Sequence, residues 1–137
     1  MSFVLCALLS DKSPKISIES LFFELKEFFK NDNEFSLEFE KIPFKKNKNV
    51  LLKWVGWKTR VHYEEGIFVQ SDSSEIQKNA GSDIAYDVSK IDKRVRVVFG
   101  SDDKKEYTNQ IIHIISFLED IEGVFLFDPQ KNNFLKQ

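Results

Sequence analysis

The residues best suited to chemistry lie close together in the stretch WVGWKTRVHYEEG, from Trp54 to Gly66. It places an arginine, a histidine, a tyrosine and two glutamates beside two tryptophans, and such side chains act as general acids and bases. The stretch is typical of a strand, in which alternate side chains point to opposite faces. His62 then shares a face with Arg60 and Glu64, each about 7 Å away, which is beyond hydrogen-bond distance. A ladder of charges across neighbouring strands explains the pattern without catalysis.

The other candidates for catalysis or metal binding are too dispersed to form a known motif. His62 and His113 lie on different predicted elements and form neither an HxH nor an HExxH spacing, so a zinc site would need carboxylates supplied by the fold. The single cysteine, Cys6, excludes an internal disulfide and every Cys-based zinc motif. The sequence contains no glycine-rich phosphate loop. We therefore predict no catalytic residue, no metal and no cofactor.

One hydrolytic alternative stays open. Asp92 and the triplet Asp102, Asp103 and Lys104 combine carboxylates, which hold Mg²⁺, with a lysine that activates water or stabilises charge. Such triplets are common in a chain with 22 acidic residues, and this one falls in a predicted turn. A hydrolase is therefore one function that the sequence allows, ranked after the two binding functions described below.

The composition is that of an ordinary globular protein. The chain has 137 residues, of which 42% are hydrophobic and 31% charged, and this length is typical of one domain. We predict a single domain over residues 1–137. The net charge of −2 gives no overall attraction to nucleic acid or to an anionic membrane. The apolar start lacks the basic residues and cleavage site of a signal peptide, which together with the lone cysteine favours a cytoplasmic location.

Hydrophobic periodicity predicts the elements that position these residues. Two amphipathic helices are indicated, one capped by Ser17 and the other by Thr108, and a short helix is predicted over Glu75–Ala80 with its cap between Ser71 and Ser74. Residues 83–92 are predicted to form a loop. The predicted strands are Phe3–Leu9, Phe35–Phe39, Val50–Val55, Trp57–Glu64, Arg94–Phe99 and Val124–Phe127. The order β-α-β-β-β-α-β-α-β predicts an α+β fold, a mostly antiparallel sheet with helices packed on one face.

Charge is distributed unevenly along the middle of the chain. Residues 41–60 contain seven basic side chains and no acidic one, whereas residues 61–92 contain seven acidic side chains and only two lysines. Turns and solvated strand faces collect charge without any function, and this interpretation stays open.

Two binding functions are the alternatives. In one, the basic segment between Lys41 and Arg60 binds nucleic acid, with phosphates on Lys45, Lys46 and Lys48 and bases stacked on Trp54. In the other, the acidic segment recognises a basic protein and an aromatic side chain, Tyr86 or Phe68, forms the buried anchor.

Two stretches of the chain resemble a group of small bacterial cytoplasmic proteins. They are WKTRVHYEEGIFVQSDSSE, from Trp57 to Glu75, and the later FLFDPQKNNFL. The pattern is a strand that ends in acidic residues, a serine-rich helix start and a C-terminal strand that closes on Asp-Pro-Gln. Proteins of this kind resemble immunity proteins, which neutralise toxins delivered by contact-dependent or secretion systems. The resemblance implies a non-enzymatic protein whose partner is a cognate toxin domain.

The first interpretation is therefore an immunity protein that blocks the basic active-site cleft of a toxin, as in a nuclease, in a one-to-one complex. We expect neither a membrane nor a nucleic acid as its partner. The charge pattern, and not the resemblance, gives the residues expected to contact the toxin. They are Glu64, Glu65, Asp72, Glu75, Asp83, Tyr86 and Asp87.

Overall fold

The computed structural model describes residues 2–80 and 84–137 of the chain. The strands are β1 (Phe3–Leu9), β2 (Ser36–Lys41), β3 (Lys48–Trp54), β4 (Trp57–Glu65), β5 (Lys93–Phe99), β6 (Val124–Asp128) and β7 (Asn133–Lys136). The helices are α1 (Ile18–Phe28), α2 (Ile67–Ala80) and α3 (Thr108–Glu119). The strands form one sheet in the order β2-β3-β4-β5-β1-β6-β7, and every pair is antiparallel. The predicted α+β class and antiparallel sheet are confirmed.

Local sequence determines how two of these elements begin. The hydroxyl of Ser17 accepts a hydrogen bond from the backbone N–H of Ser20, whose own hydroxyl accepts one from the N–H of Ser17, so a capping box starts α1. Strands β3 and β4 are joined by a tight turn in which Gly56 has φ +80°, a conformation that glycine adopts without strain. The predicted cap Ser17 is confirmed.

The sheet has helices on both faces, which corrects the prediction that they pack on one. Leu5, Ala7 and Leu9 of β1 face α1 and α3 in the main core, whereas Cys6 and Leu8 face a second core that includes Ile76 and Ala80 of α2. Because β1 is central, its continuous apolar run is buried on both sides. α2 therefore covers the opposite face of the sheet from the other two helices.

Two further predictions about elements were wrong, and one strand was missed. α2 begins directly after Gly66 and is much longer than the predicted Glu75–Ala80 helix. Thr108 is the first residue of α3 and not its cap, since the cap position belongs to Tyr107 and carries no side-chain hydrogen bond. β7 was not predicted, and it extends the sheet beyond β6. Within residues 2–80 and 84–137, no helix is both long and apolar enough to cross a membrane.

Candidate functional site

Glu64 lies at the centre of an ion-pair network on the face of the sheet that α2 covers. Its carboxylate accepts hydrogen bonds from Nε of Arg94 at 2.8 Å and from Nε and Nη2 of Arg96 at 3.0 and 3.2 Å. Nη1 of Arg94 also donates to Asp72 on α2 at 2.9 Å. The side chains of Glu64 and Arg94 are only 18% and 9% exposed. The network therefore joins β4, β5 and α2, and two of the predicted contact residues have cationic partners inside the molecule.

The protonation of Glu64 reflects these contacts. Burial raises the pKa of its carboxyl group, but hydrogen bonds from Arg96 and Arg94 outweigh burial, and the pKa lies below its usual value. Glu64 is therefore ionised at neutral pH. Cys6 lies across the sheet from Arg96, and burial raises the pKa of its thiol, so Cys6 is a neutral side chain of the second core.

The other predicted contact residues are exposed and fall into two places. Glu65 ends β4 and pairs across the sheet with Lys93, while Tyr86 and Asp87 line a cavity of about 690 Å³ at the same end of the sheet. Glu75 lies on α2 beside a separate cavity of about 480 Å³. These residues do not form one continuous acidic patch, and Asp83 lies outside the described residues.

The cavity beside Tyr86 has a mixed lining that the sequence did not reveal. Three aspartates line it, and so do Lys12, Lys90 and Lys93. Lys12 follows the end of β1 and Lys93 begins β5, so the fold carries them to the acidic loop from segments outside it. Tyr86 itself is 60% exposed and packs edge-on against Phe125 with the ring centroids 5.9 Å apart.

The first turn of α2 exposes two large apolar side chains next to Glu65. Ile67 is 84% exposed and Phe68 is 52% exposed. Phe68 was predicted only as one of two possible anchors, and Ile67 was not predicted at all. The sequence signal was the apolar triplet Ile67 to Val69, of which only Val69 turns inward and is buried.

Ion pairs within the fold neutralise three of the seven cations of the basic segment. Lys48, Lys53 and Arg60 form ion pairs with Glu19 at 3.3 Å, Glu38 at 3.2 Å and Glu40 at 2.9 Å. Trp54 is 5% exposed, and its Nε1 donates to Asp32 at 2.9 Å. The prediction that Trp54 stacks on a base is wrong, because its ring is buried against Phe29 and Phe35 and its N–H is already bonded to Asp32.

The histidine in the opening stretch behaves as a structural residue. His62 pairs across the sheet with Arg96 and forms no hydrogen bond through its ring with any described residue. Burial, and after it the positive charge of Arg96, lowers the pKa of His62 below its ordinary value. The imidazole is therefore neutral at pH 7, and the side chains around it form ion pairs with one another.

The hydrolytic alternative is not supported by the positions of its carboxylates. Asp92 precedes β5 and Asp102 follows it, and a strand of this length places the two ends about 20 Å apart. Asp102 accepts hydrogen bonds from the backbone N–H groups of Glu106 at 2.8 Å and Tyr107 at 3.0 Å. The two aspartates cannot share one Mg²⁺, and the part of the chain that the structure describes contains no cluster of three metal-ligating side chains.

Comparisons with known proteins return no relatives. No protein-family model matches the chain, and no curated protein and no solved structure is significantly similar to it.

Proposed function

We propose that this chain is a non-enzymatic protein-binding module that acts as an immunity protein in the cytoplasm. The observation that carries the proposal is the exposure of Ile67, Phe68 and Tyr86, at 84%, 52% and 60%, in the same segment as carboxylates that form no ion pair with a described residue. Large apolar side chains on ordered surface positions contribute most of the affinity in protein complexes when a partner buries them.

The charges around these side chains define what the partner must present. Glu65, Glu75 and Asp87 are exposed and form no ion pair with any described residue, so lysines and arginines of a partner can pair with them. A toxin domain with a basic active-site cleft, such as a nuclease, has that chemistry. Lys90 and Lys93 line the same cavity as Tyr86, so acidic groups of the partner can pair with them there.

Glu64 and Asp72 have a supporting role in this proposal. Because both are bonded to Arg94, they hold α2 against the sheet and so fix the position of Phe68 and Glu75. We expect their replacement to change the stability of the fold more than the affinity for the partner.

The test begins with capture of the partner from the producing cell by the tagged protein, followed by titration calorimetry with the captured toxin domain. We expect the double variant Glu65→Lys/Asp87→Lys to weaken the complex at least tenfold, because like charges across an interface repel by about 1.4 kcal/mol or more. The matched control is Glu24→Lys/Glu106→Lys, which reverses two exposed charges elsewhere and should leave the affinity unchanged. Equal affinities of the two double variants would refute the proposed surface.

A further inference from the structure

The turn between β2 and β3, residues 42–47, carries an aromatic ring held out in solvent; we call it the basic turn. The backbone N–H of Lys45 donates to the carbonyl of Ile42 at 3.1 Å, which closes a β-turn with Pro43 and Phe44 at its centre. Phe44 has φ +62° and is fully exposed, at 108%. Proline followed by a residue of positive φ is the pattern of a type II turn, in which the second central position favours glycine or asparagine.

Both properties of Phe44 disfavour the folded protein. A left-handed backbone strains any residue that has a Cβ atom, and a phenyl ring left in water gains nothing from burial. Glycine would fit the turn with neither cost. A strained, exposed aromatic residue at a fixed surface position is therefore explained better by contact with a ligand than by folding.

The lysines of the basic turn also keep their charge. Lys48, Lys53 and Arg60 are neutralised by the ion pairs given above, whereas Lys45 and Lys46 are exposed and form no ion pair with any residue of 2–80 or 84–137. Lys41 and Lys58 are also exposed and form no ion pair with a described residue, so two of the four unpaired cations of the segment directly follow Phe44 in the basic turn.

An open cleft of about 690 Å³ separates the basic turn from the first turn of α2. Lys45 and Lys46 line it from the turn, Phe68 from the helix, and Arg96 from the sheet. Three carboxylates also line the cleft, those of Glu19, Glu64 and Glu65. Lys48 pairs with Glu19 and Arg96 with Glu64, so Lys45 and Lys46 are the cations of the lining that form no ion pair with a described residue, against one such carboxylate, Glu65.

We propose that the basic turn and this cleft bind single-stranded nucleic acid. Lys45 and Lys46 contact phosphates, and Phe44 and Phe68 stack against bases, since every base presents a π-face to an aromatic ring. Phe68 lines the cleft, and Phe44 projects into solvent from the turn whose Lys45 and Lys46 line it, so a flexible strand can contact both rings, whereas a flat anionic lipid surface would touch only the tip of the turn. This surface lies beyond the proposed toxin-binding function and shares with it only Phe68 and Glu65.

Fluorescence anisotropy with labelled oligothymidine and oligouridine of about a dozen residues tests the proposal on the full chain. Two phosphate contacts predict that affinity falls about 25-fold for a tenfold rise in salt, from a slope of about 0.7 per phosphate. Lys45→Ser/Lys46→Ser should weaken binding at least tenfold and flatten this dependence. The control Lys26→Ser/Lys78→Ser removes two exposed lysines elsewhere and should leave binding within twofold.

Variants of Phe44 separate stacking from simple apolar contact. Phe44→Tyr should retain binding, Phe44→Leu should weaken it at least fivefold, as expected for the loss of one stacked base, and Phe44→Gly should weaken it equally while raising the melting temperature. Melting curves show that each variant is folded. No binding at low salt, or equal binding by Phe44→Leu and the wild type, would overturn the proposal.

Two further measurements distinguish this proposal from its competitors. Co-sedimentation with phosphatidylglycerol vesicles in the absence of oligonucleotide binding would overturn it and identify the turn as a membrane contact. Glu65→Gln removes a negative charge from the cleft and should strengthen oligonucleotide binding, whereas it should weaken the proposed toxin complex. Weaker oligonucleotide binding by Glu65→Gln would count against the cleft and leave the toxin proposal standing.

Discussion

The replacement Glu64→Gln tests whether this carboxylate stabilises the fold or belongs to a binding surface. It leaves Arg94 and Arg96 without the carboxylate to which both donate hydrogen bonds. Loss of one partner from a buried ion pair costs about 3–5 kcal/mol. Arg94 keeps Asp72 and glutamine still offers an acceptor, so we expect the lower end, about 3 kcal/mol.

This free energy converts into a large change in melting temperature. An unfolding entropy of about 2.1 cal/mol/K per residue gives roughly 0.3 kcal/mol/K for a chain of 137 residues, so Tm should fall by about 10 °C. The control Glu38→Gln breaks the pair with Lys53, whose side chains are 54% and 35% exposed. An exposed pair of this kind contributes about 1 kcal/mol or less, and its loss should lower Tm by no more than about 3 °C.

The dependence on pH gives a second measurement. The pKa of Glu64 is lower in the folded protein than in the unfolded chain, so its stabilisation is complete above the unfolded value of about 4.3 and is lost as pH falls through the folded value. Urea unfolding at neutral and acidic pH should therefore show a difference between wild type and Glu64→Gln that shrinks below about pH 4. A Tm change no larger than that of Glu38→Gln, or a difference that does not vary with pH, would refute this role.

Three other predictions concern single residues. Ser17→Ala removes the cap of α1 and should cost about 1 kcal/mol in thermal unfolding, and a change below a few tenths would show that the cap is unimportant. Burial, aided by the hydrogen bond to Glu65, raises the pKa of Tyr63 to about 12. The stability that this shift contributes is complete below the unfolded pKa of about 10 and is lost as pH rises through the folded value. Tyrosinate absorbance should therefore show one tyrosine that titrates at higher pH than the others and that is missing in Tyr63→Phe. The pKa of His62 is lowered by burial and then by Arg96, so NMR should show this histidine titrating below the ordinary value of about 6.5, and stability should be lost as pH falls below that value.

Elements with one strong hydrophobic periodicity were predictable from the sequence. Most of α2 was not, because its periodicity is interrupted. The side chains that α2 turns inward include Val69, Ser73, Ile76 and Ala80, at intervals of four, three and four. Ser73 is fully buried at a position where the helical pattern leads one to expect an apolar residue. The apolar stripe is therefore broken in its first half, and only the end of the helix was predicted.

The face of the sheet on which α2 packs could not be predicted from the sequence, for a different reason. Phe3–Leu9 was correctly predicted as a strand, and its continuous apolar run already required cover on both faces of the sheet. Nothing in the periodicity of α2 says which face it covers, because that depends on the turn at Gly66, where φ is +117°. β7 was missed because its four residues are too few for alternation to be recognised.

The basic and acidic blocks of the sequence lose part of their charge in the fold, because ion pairs form with residues outside each block. The block of seven basic residues between Lys41 and Arg60 appears unopposed when it is read along the chain. Three of them meet Glu19, Glu38 and Glu40, which precede the block, because α1 and β2 pack beside β3 and β4. Two carboxylates of the acidic block are likewise bonded to Arg94, which follows it.

The binding surfaces must therefore be built from the charges that the fold leaves unpaired. Among these charges are those of Lys45 and Lys46 in the basic turn and those of Glu65, Glu75 and Asp87 around α2 and the loop that follows it. The two sets meet at the cleft where Glu65 faces the basic turn. A ligand of either sign that approaches this end of the sheet is attracted by one set and repelled by the other, and replacing Glu65 alone should shift the preference of the molecule towards polyanions.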